Sequence, residues 1–476
     1  LTFSDSIELK KMSYLAELHF GKKETIPSAI SLGILPHSAN IPNGIRVAIE
    51  HAMQKNMACL VVCTSTLAQG VNLPIKYLVV SGVYQGGEKI STRDFHNLIG
   101  RTGRAGLHTE GSIIFSSPEI YDKRRTYKGR LAWADIKNLL NFENAEDCSS
   151  SLLEVISPVD YFPEFNPVDL AIFQKEYIDS AILSLAEGNL SSEDVIGIES
   201  ALKYRVKIIE AIESYLLAYS IGMEVIDEDD FESIVKNTLA YSMATPEEED
   251  VFYEMFRSLL MKVLSVSVDK RKYYGKALLG IDKLKVIDKW LEEEFSWLGF
   301  DDSLVGTFEY IWPLLLRLTD VEKFDKFLFV NDEIEDSGSL LLAKMWIERK
   351  SYIEITDGLN TNGVGYKWGS KHIKVSVDHV LNFTGGYLGY ECVLIVGAIA
   401  DAIEGIHGEA EEVDTLRLLQ KALKYGLNRR LDILLFEKGV CDREICKEIA
   451  NKILENGEDL DLVSYSIIDR NRLVID

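Results

Sequence analysis

The spacing of apolar residues changes about 130 residues into the chain. Before that point, short apolar runs alternate with helical patterns. The pattern predicts helices at 43–55 and 93–99, and strands at 32–35, 58–63, 76–83 and 112–115. Strands that alternate with helices indicate crossover connections and a largely parallel sheet. Ligands of such sheets bind beyond the carboxyl ends of the strands. Residues 1–130 are therefore predicted to form an α/β domain.

Helical periodicity dominates the rest of the chain. Apolar positions recur at helical spacing in 206–219 and 340–347, while 371–377 alternates apolar and polar residues and predicts a strand. The segment 416–454 predicts three short helices with turns at Gly426 and Gly439. We therefore expect a helical domain over 131–330, followed by a C-terminal helical domain over 331–476 with a small strand-containing insert.

The charge is distributed unevenly. The formal net charge is −24, yet residues 1–130 carry 16 Lys and Arg against 10 Asp and Glu. The remaining residues carry 35 basic and 65 acidic side chains. Nucleic-acid binding needs Lys and Arg against the phosphates, so only the first segment has a balance suited to it. The acidic remainder either keeps the protein soluble or presents a surface to a basic partner.

Several features indicate a cytoplasmic protein without a membrane span. No uninterrupted apolar run approaches the roughly 18 residues that a spanning helix needs, and the first residues lack a secretory signal pattern. Six cysteines are too few for a disulfide scaffold in 476 residues. His372 and His379 lack a third ligand, so no metal site is predicted. The chain opens in helix-like sequence without methionine, and we expect it to be part of a longer protein.

The first candidate motif runs from Thr64 to Pro74, with the sequence TSTLAQGVNLP, directly after a predicted strand. Small hydroxyls and free backbone N–H groups at a helix start can bind phosphate, but they also serve as ordinary helix caps. Gly70 permits close backbone approach, and Asn72 offers both a donor and an acceptor. On its own this motif leaves both interpretations open.

The second candidate motif runs from Asp94 to Gly106, with the sequence DFHNLIGRTGRAG. Arg101 and Arg104 lie three apart among glycines, which allow a guanidinium group to approach a ligand closely. Permanently charged, planar guanidinium groups suit a phosphoryl group in transfer. The alternative is that both are surface arginines in a loop.

Together the two motifs resemble motifs V and VI of superfamily 2 helicases, and TSTLAQGVNLP is especially similar to the Ski2-like branch. The stretch from Leu35 to Arg46 resembles the approach to motif IV in the same families. The resemblance implies that Arg101 and Arg104 are arginine fingers and that Thr64 and Ser65 hold the backbone of a single strand. It further implies roles beside ATP or in its coupling to the strand for Gly70, Asn72, Asn97, Gly100 and Gly103. It places His37 and Arg46 near the nucleic-acid track. Asn97 departs from the Gln or His that is common at its position.

The resemblance also implies parts that this chain does not supply. Such helicases hold ATP and Mg²⁺ mainly through a first RecA-like domain with a phosphate-binding loop and an acidic box. The acidic run at 227–230 follows the motifs that it should precede, and we interpret it as a solvated turn or helix cap. The chain is thus expected to be the C-terminal half of a helicase, inactive alone, with the first RecA-like domain in the same or a separate chain.

The resemblance extends to partners. The helical domains that follow the second RecA-like domain in this branch surround the strand, and 131–330 is expected to be winged-helix- or ratchet-like. The expected ligand is single-stranded or partly duplex nucleic acid, with DNA favoured. Helicases of similar appearance occur with a nuclease in bacterial antiviral systems such as the Hachiman type. The alternative is a non-enzymatic module that docks a partner such as a nuclease effector.

Overall fold

The computed structural model describes residues 4–64, 75–85, 88–103, 110–186, 190–297, 300, 303–319, 324–329, 337–369 and 371–455. Within these ranges the chain is mostly helical. The α-helices are α1 (Ser6–Phe20), α2 (Thr25–Ser31), α3 (Asn43–Gln54), α4 (Thr92–Ile99), α5 (Glu119–Asp122), α6 (Tyr127–Leu140), α7 (Ser151–Glu154), α8 (Pro167–Ala186), α9 (Ser192–Tyr219), α10 (Glu228–Lys236), α11 (Leu239–Met243), α12 (Pro246–Leu264), α13 (Val268–Tyr274), α14 (Ile281–Glu293), α15 (Leu304–Leu318), α16 (Gly338–Ile347), α17 (Tyr352–Thr361), α18 (Val377–Asn382), α19 (Val393–His407), α20 (Glu411–Tyr425), α21 (Arg430–Glu437) and α22 (Arg443–Glu455). The strands are β1 (Ile34–His37), β2 (Leu60–Cys63), β3 (Tyr77–Val80), β4 (Tyr84–Gln85), β5 (Glu88–Lys89), β6 (Ser112–Phe115), β7 (Phe327–Phe329), β8 (Val364–Trp368) and β9 (Lys371–Lys374).

The N-terminal layer, residues 4–64, combines α1, α2 and α3 with the parallel strands β1 and β2. The apolar face of α3 is buried in a core that also includes residues of α1 and β1. The buried residues of this core are Leu9, Met12, Ala16, Phe20, Ile30, Leu35, Ile41, Ile45, Ile49 and Ala52. Leu35 of β1 is fully buried and lies opposite Val61 of β2. The helix predicted at 43–55 and the parallel pairing of these strands are confirmed.

The prediction of one continuous RecA-like sheet is not confirmed. β3 and β6 form a second parallel pair, with Tyr77 opposite Ser112, but among the described residues this pair is separate from β1 and β2. Parallel sheets are normally covered by helices on both faces. Here Leu60, Val62 and Val79 are more than half exposed, so each pair is covered on one side only. Among the described residues, the expected α/β domain is thus represented by two small parallel pairs with flanking helices.

The largest hydrophobic core lies in the helical region and includes the apolar faces of α8, α9, α12 and α14. A buried polar cluster joins these four helices. The fully buried carboxylate of Glu213 pairs with Lys262 at 2.8 Å and accepts from the Gln174 side chain at 2.9 Å and from the Ile281 backbone N–H at 2.8 Å. α8 kinks at Gln174, where φ is +37°. Burial raises the pKa of Glu213, against the opposing effect of Lys262. The acidic run at 227–230 forms a helix cap as predicted, because the Asp227 side chain accepts from the Asp229 N–H at the start of α10.

The strand-containing insert is an antiparallel sheet in the order β7-β8-β9. It is followed by a helical stretch, Val377–His407, that includes α18, a π-helical segment (Phe383–Cys392) and α19. This stretch is long and apolar enough to cross a membrane by length and composition, and 67% of its most apolar window is buried inside the protein. The sequence showed no uninterrupted apolar run there because Glu391 falls within it. Such burial is typical of the core helix of a globular fold.

The C-terminal helices α20, α21 and α22 confirm the three predicted helices and their turns. Gly426 ends α20 in the left-handed region at φ +66°, and Gly439, after α21, has φ +111°. α22 packs back against the N-terminal layer, since His19 of α1 contacts Asp442 at 2.7 Å. Gly44 of α3 lies so close to Asp442 that an added Cβ would meet its Oδ2 at 2.2 Å. The N-terminal layer and the last helices therefore form one interface.

Candidate nucleotide and nucleic-acid site

The first motif begins where β1 and β2 end together. His37 lies opposite Cys63 in the register of the two strands, and the Thr64 backbone N–H donates to the His37 carbonyl at 3.2 Å. Thr64 is exposed at this edge. It therefore lies at the carboxyl end of a parallel strand, where the sequence predicted a ligand contact. Ser65, Gly70 and Asn72 lie outside the described residues.

His37 and Arg46, the two residues of the motif IV approach, differ in accessibility. Only 3% of the His37 surface is exposed, and its Nε2 is hydrogen-bonded to Glu50 Oε1 at 2.9 Å. The buried ring therefore links β1 to α3 through its contact with Glu50. Arg46 is partly exposed and donates to Asn43 Oδ1 at 2.8 Å, so its guanidinium lies on the surface of α3.

Helix α4 carries the first half of the second motif. Its N-cap is Ser91, whose hydroxyl accepts from the Asp94 N–H at 3.0 Å. Phe95 anchors the helix, with 1% of its surface exposed. Asn97, two residues further along, is exposed. The apolar anchor and the exposed amide thus fix which side of α4 faces solvent.

Glu146 clamps the N-terminus of α4, and sequence reasoning missed it. Its two carboxylate oxygens accept from the Thr92 and Arg93 backbone N–H groups at 2.8 and 3.0 Å, and the Arg93 side chain donates to the Glu146 carbonyl. The hydrogen bonds from the Arg93 and Thr92 N–H groups lower the pKa of this carboxyl. An acidic group at a helix N-terminus stabilises the helix dipole. No local pattern pairs positions more than 50 residues apart, so the sequence offered no signal for this contact.

The turn after α4 joins the two motifs in space. Thr102 forms a parallel bridge with Ile75, and the Gly103 N–H donates to the Ile75 carbonyl at 2.9 Å. Ile75 directly follows Pro74, the last residue of the first motif. The contact therefore places the residue that follows the first motif beside the middle of the second.

Glycine is required in this turn. Gly103 has φ +72°, and an added Cβ would lie 2.7 Å from the backbone nitrogen of Gly111. A Cβ on Gly111 would in turn lie 2.6 Å from the Gly103 nitrogen. The two backbones thus approach as closely as only glycines permit.

Arg101 lies at the C-terminal end of α4 and is partly exposed. Its backbone N–H donates to the Leu98 carbonyl at 3.2 Å, so it continues the last turn, where a cation interacts favourably with the helix dipole. Arg101 lies near the amino ends of β3 and β6, whereas the sequence predicted ligands beyond the carboxyl ends. Gly100 is exposed next to it. Arg104 lies outside the described residues.

No metal-binding cluster of three or more His, Cys, Asp or Glu side chains occurs among the residues that the structure describes. The fixed positive charge at this site comes from arginine. A guanidinium group in this part of the site is suited to contact phosphate oxygens. The described residues alone would not hold a metal ion.

Comparison with known proteins supports the same class. No family model matches the chain. The chain is 23% identical over 460 residues to the Hachiman protein HamB of Bacillus cereus. This alignment covers 94% of the chain and 38% of that protein. Shorter matches are to the Helicase POLQ-like protein of Homo sapiens, 37% identical over 19% of this chain and 8% of that protein, and to the ATP-dependent DNA helicase Hel308 of Aeropyrum pernix, 36% identical over 20% of this chain and 14% of that protein.

These matches confirm the resemblance to Ski2-like superfamily 2 helicases that the motifs predicted. The chain spans less than two fifths of the length of the Hachiman protein and smaller fractions of the other two. The similarity to the Hachiman protein runs along nearly the whole chain, so it includes the helical region as well as the two motifs.

Proposed function

We propose that the chain is the C-terminal portion of an ATP-dependent nucleic-acid helicase or translocase. The observation that carries the proposal is the junction of Ile75, the residue after the first helicase-like motif, with Thr102 and Gly103 of the second. The similarity to a DNA helicase and to a Hachiman protein supports it. A first RecA-like domain, in the same or a separate chain, would complete the enzyme, and residues 1–476 alone would be inactive.

Arg101 and Arg104 are proposed to act as arginine fingers. ATP and Mg²⁺, held mainly by the first RecA-like domain, would supply the phosphoryl group and neutralise charge on its oxygens. The role of this chain is to bring the two guanidinium groups to the γ-phosphate when the cleft closes. An arginine finger contributes roughly 10³–10⁵ in rate. Gly103 allows the close turn after α4, and this turn fixes the position of Arg101.

The nucleic-acid strand is proposed to pass the edge at Thr64 and Ser65, with Arg46 close by. Gly70 and Asn72, from the first motif, and Asn97 and Gly100, from the second, would couple the nucleotide to this strand. Contacts of this kind bind the phosphate backbone and carry no base sequence. DNA is the favoured strand, since the name of one matched relative specifies it. His37 would position β1 against α3 without touching the strand itself.

The division of labour along the chain is also a proposal. Residues 1–130 would supply the nucleotide-facing and strand-facing motifs, 131–330 a winged-helix- or ratchet-like domain, and 331–476 the C-terminal helical domain. We place the protein in the cytoplasm. The 94% coverage by a Hachiman protein favours a role in antiviral defence.

The second candidate function is a non-enzymatic module that docks a partner such as a nuclease. The acidic surface of residues 131–476 favours it, because a basic partner would find many carboxylates there. Under this proposal Arg101 and Arg104 would be dispensable for activity. The two candidates therefore differ in whether ATP hydrolysis depends on Arg101 and Arg104.

The test uses the full protein that contains this chain. Arg101→Ala and Arg104→Ala should each abolish strand-stimulated ATP hydrolysis and leave strand binding largely intact, and lysine should not rescue either, because it lacks the planar guanidinium. Thr64→Ala should weaken strand affinity. Arg125→Ala, an exposed arginine outside both motifs, is the control and should behave as wild type. Hydrolysis that survives both arginine substitutions would show that this chain does not supply the arginine fingers, as the docking-module candidate expects.

A further inference from the structure

The sheet β7-β8-β9 presents a basic face to solvent. Strand side chains alternate between the two faces of a sheet, and the register places Lys367 opposite His372 and Gly365 opposite Lys374. On the other side, the Lys367 N–H donates to the Lys326 carbonyl at 2.8 Å. One face of the sheet therefore carries Lys326, Lys367, His372 and Lys374, and all four residues are exposed. We name these four residues the lysine face.

The opposite face anchors the sheet to the protein. Phe327 is buried and packs edge-on against Tyr366, with ring centroids 5.3 Å apart. Tyr366 stacks on His379 of α18 at 3.7 Å. Phe327 and Tyr366 thus anchor this side of the sheet to the protein, so the lysine face is held outward.

The lysine face is not explained by the stability of the sheet. Like charges on adjacent strands destabilise a sheet, and Lys326 and Lys367 lie side by side on neighbouring segments of the sheet. Among the residues that the structure describes, Lys326, Lys367 and Lys374 form no ion pair within 4.0 Å, although residues 131–476 carry 65 carboxylates. Lys374 shares a cavity of about 370 Å³ with Asp357 and Asp378, so Lys326 and Lys367 carry the argument.

The tip of the β8–β9 hairpin adds an aromatic ring. Trp368 is 67% exposed and lies opposite Lys371 in the register. By the same alternation both side chains project from the face opposite the lysine face, at the free end of the hairpin. Gly369, with φ +59°, forms the turn beside it. Single-strand binding sites combine basic side chains that track the phosphates with aromatic rings on which bases stack. Here a strand would meet both kinds of group only where it passes from the lysine face over the hairpin tip.

We propose that this sheet is a second contact for the nucleic-acid strand, with phosphates on the lysine face and a base stacked on Trp368 where the strand crosses the hairpin tip. The polyanionic strand matches the one basic sheet face that we find in an acidic region, whereas a basic partner would be repelled. The inference rests on the proposed function, because it assumes that the protein handles a strand. It adds a surface remote in sequence from both motifs.

The test measures binding of a labelled oligothymidylate to the full protein by fluorescence anisotropy at several salt concentrations. The double variant Lys326→Gln/Lys367→Gln removes two phosphate contacts, so the slope of log affinity against log salt should fall by about 1.4, with roughly tenfold weaker binding near physiological salt. Trp368→Ala should weaken binding at every salt concentration, and Trp368→Phe should restore most of the affinity. All of these positions are exposed, so none of the variants should lower the thermal unfolding temperature.

The matched control is Lys175→Gln/Lys207→Gln, which removes two exposed lysines from helices α8 and α9 in the same acidic region. It should bind as wild type. Wild-type affinity and slope in Lys326→Gln/Lys367→Gln would overturn the inference and leave the lysine face to an acidic protein partner. Absence of strand binding by the wild-type protein would overturn the proposed function as well, so the two failures are distinguishable.

Discussion

His19 Nε2 lies 2.7 Å from Asp442 Oδ2, and the two residues are 423 positions apart. Their side chains are 1% and 7% exposed. The other oxygen of Asp442 accepts from the Glu444 and Ile445 N–H groups and so caps α22. Tyr352 stacks on the His19 ring at 5.6 Å. One buried contact thus connects the N-terminal layer to the last helix.

Removal of the Asp442 carboxylate should strongly destabilise the protein. Asp442→Ala would leave the His19 ring buried without its partner and uncap α22, and breaking a buried pair in this way costs about 3–5 kcal/mol. The measurement is the free energy of unfolding in urea. The control is Tyr14→Phe, which removes a hydrogen bond to Glu448 at a half-exposed position and should change stability by less than about 0.5 kcal/mol. Equal effects in both variants would contradict the assigned importance of the buried pair.

The same carboxyl should make the interface sensitive to acid. Burial raises the pKa of Asp442, but the electrostatic interaction and hydrogen bond with His19 and the two N–H donors of α22 outweigh it and hold the pKa below its ordinary value. A folded-state pKa below the unfolded one stabilises the protein above the ordinary value of about 3.9. This stabilisation is lost as the pH falls through the folded-state pKa.

The expected result is a steeper loss of stability for wild type than for Asp442→Asn as the pH falls below about 4. Unfolding free energies measured from neutral pH into this range test the difference. Parallel curves would show that Asp442 does not titrate differently in the folded and unfolded states.

Gly44 should not tolerate a side chain. The added Cβ in Gly44→Ala would meet Asp442 Oδ2 at 2.2 Å and its Cβ at 2.4 Å, and overpacking of this kind costs about 1–3 kcal/mol. Gly197, inside α9, has nothing within 4 Å of a built Cβ, so Gly197→Ala should stabilise by about 0.5–1 kcal/mol. Thermal unfolding of the two variants should therefore shift in opposite directions. Equal shifts would show that α3 does not pack on Asp442 as described.

Gly103→Ala should damage the junction of the two motifs. Alanine at a positive φ costs roughly 1–2 kcal/mol, and its Cβ would press on the Gly111 backbone. In the full protein we expect strand-stimulated ATP hydrolysis to fall at least tenfold, because the turn that positions Arg101 is displaced. Gly82→Ala, an exposed position with nothing within 4 Å of the built Cβ, should keep wild-type hydrolysis. Normal hydrolysis in Gly103→Ala would show that this turn does not position a residue needed for ATP hydrolysis.

The local elements were predictable from the sequence because they depend on short-range patterns. The helical spacing of Ile45, Ile49 and Ala52 correctly predicted α3, and Ser112–Phe115 was predicted with the bounds observed. The assembly of the strands was not predictable in the same way, since β2 and β3 carry apolar residues that a continuous sheet would bury and that are exposed here. The apolar pattern specifies a strand but not its neighbours.

The long-range polar contacts were beyond sequence reasoning for a related reason. Glu146 and Asp442 each act on a partner far away in the chain, and neither belongs to a recognisable local motif. His37 was placed near the nucleic acid because of its position in a resembling segment, and its buried contact with Glu50 could not be read from that segment. Within the candidate site, the sequence predicted the two motifs, and the structure adds the contact of Ile75 with Thr102 and Gly103.

The separation between His19 and Asp442 has a consequence for biosynthesis. At translation rates of about 5–20 residues per second, Asp442 is made roughly 20–80 seconds after His19. Throughout that interval the surface of α1 that contacts α22 stays uncovered on the ribosome. The nascent chain therefore completes the buried interface of α1 only after α22 has been synthesised.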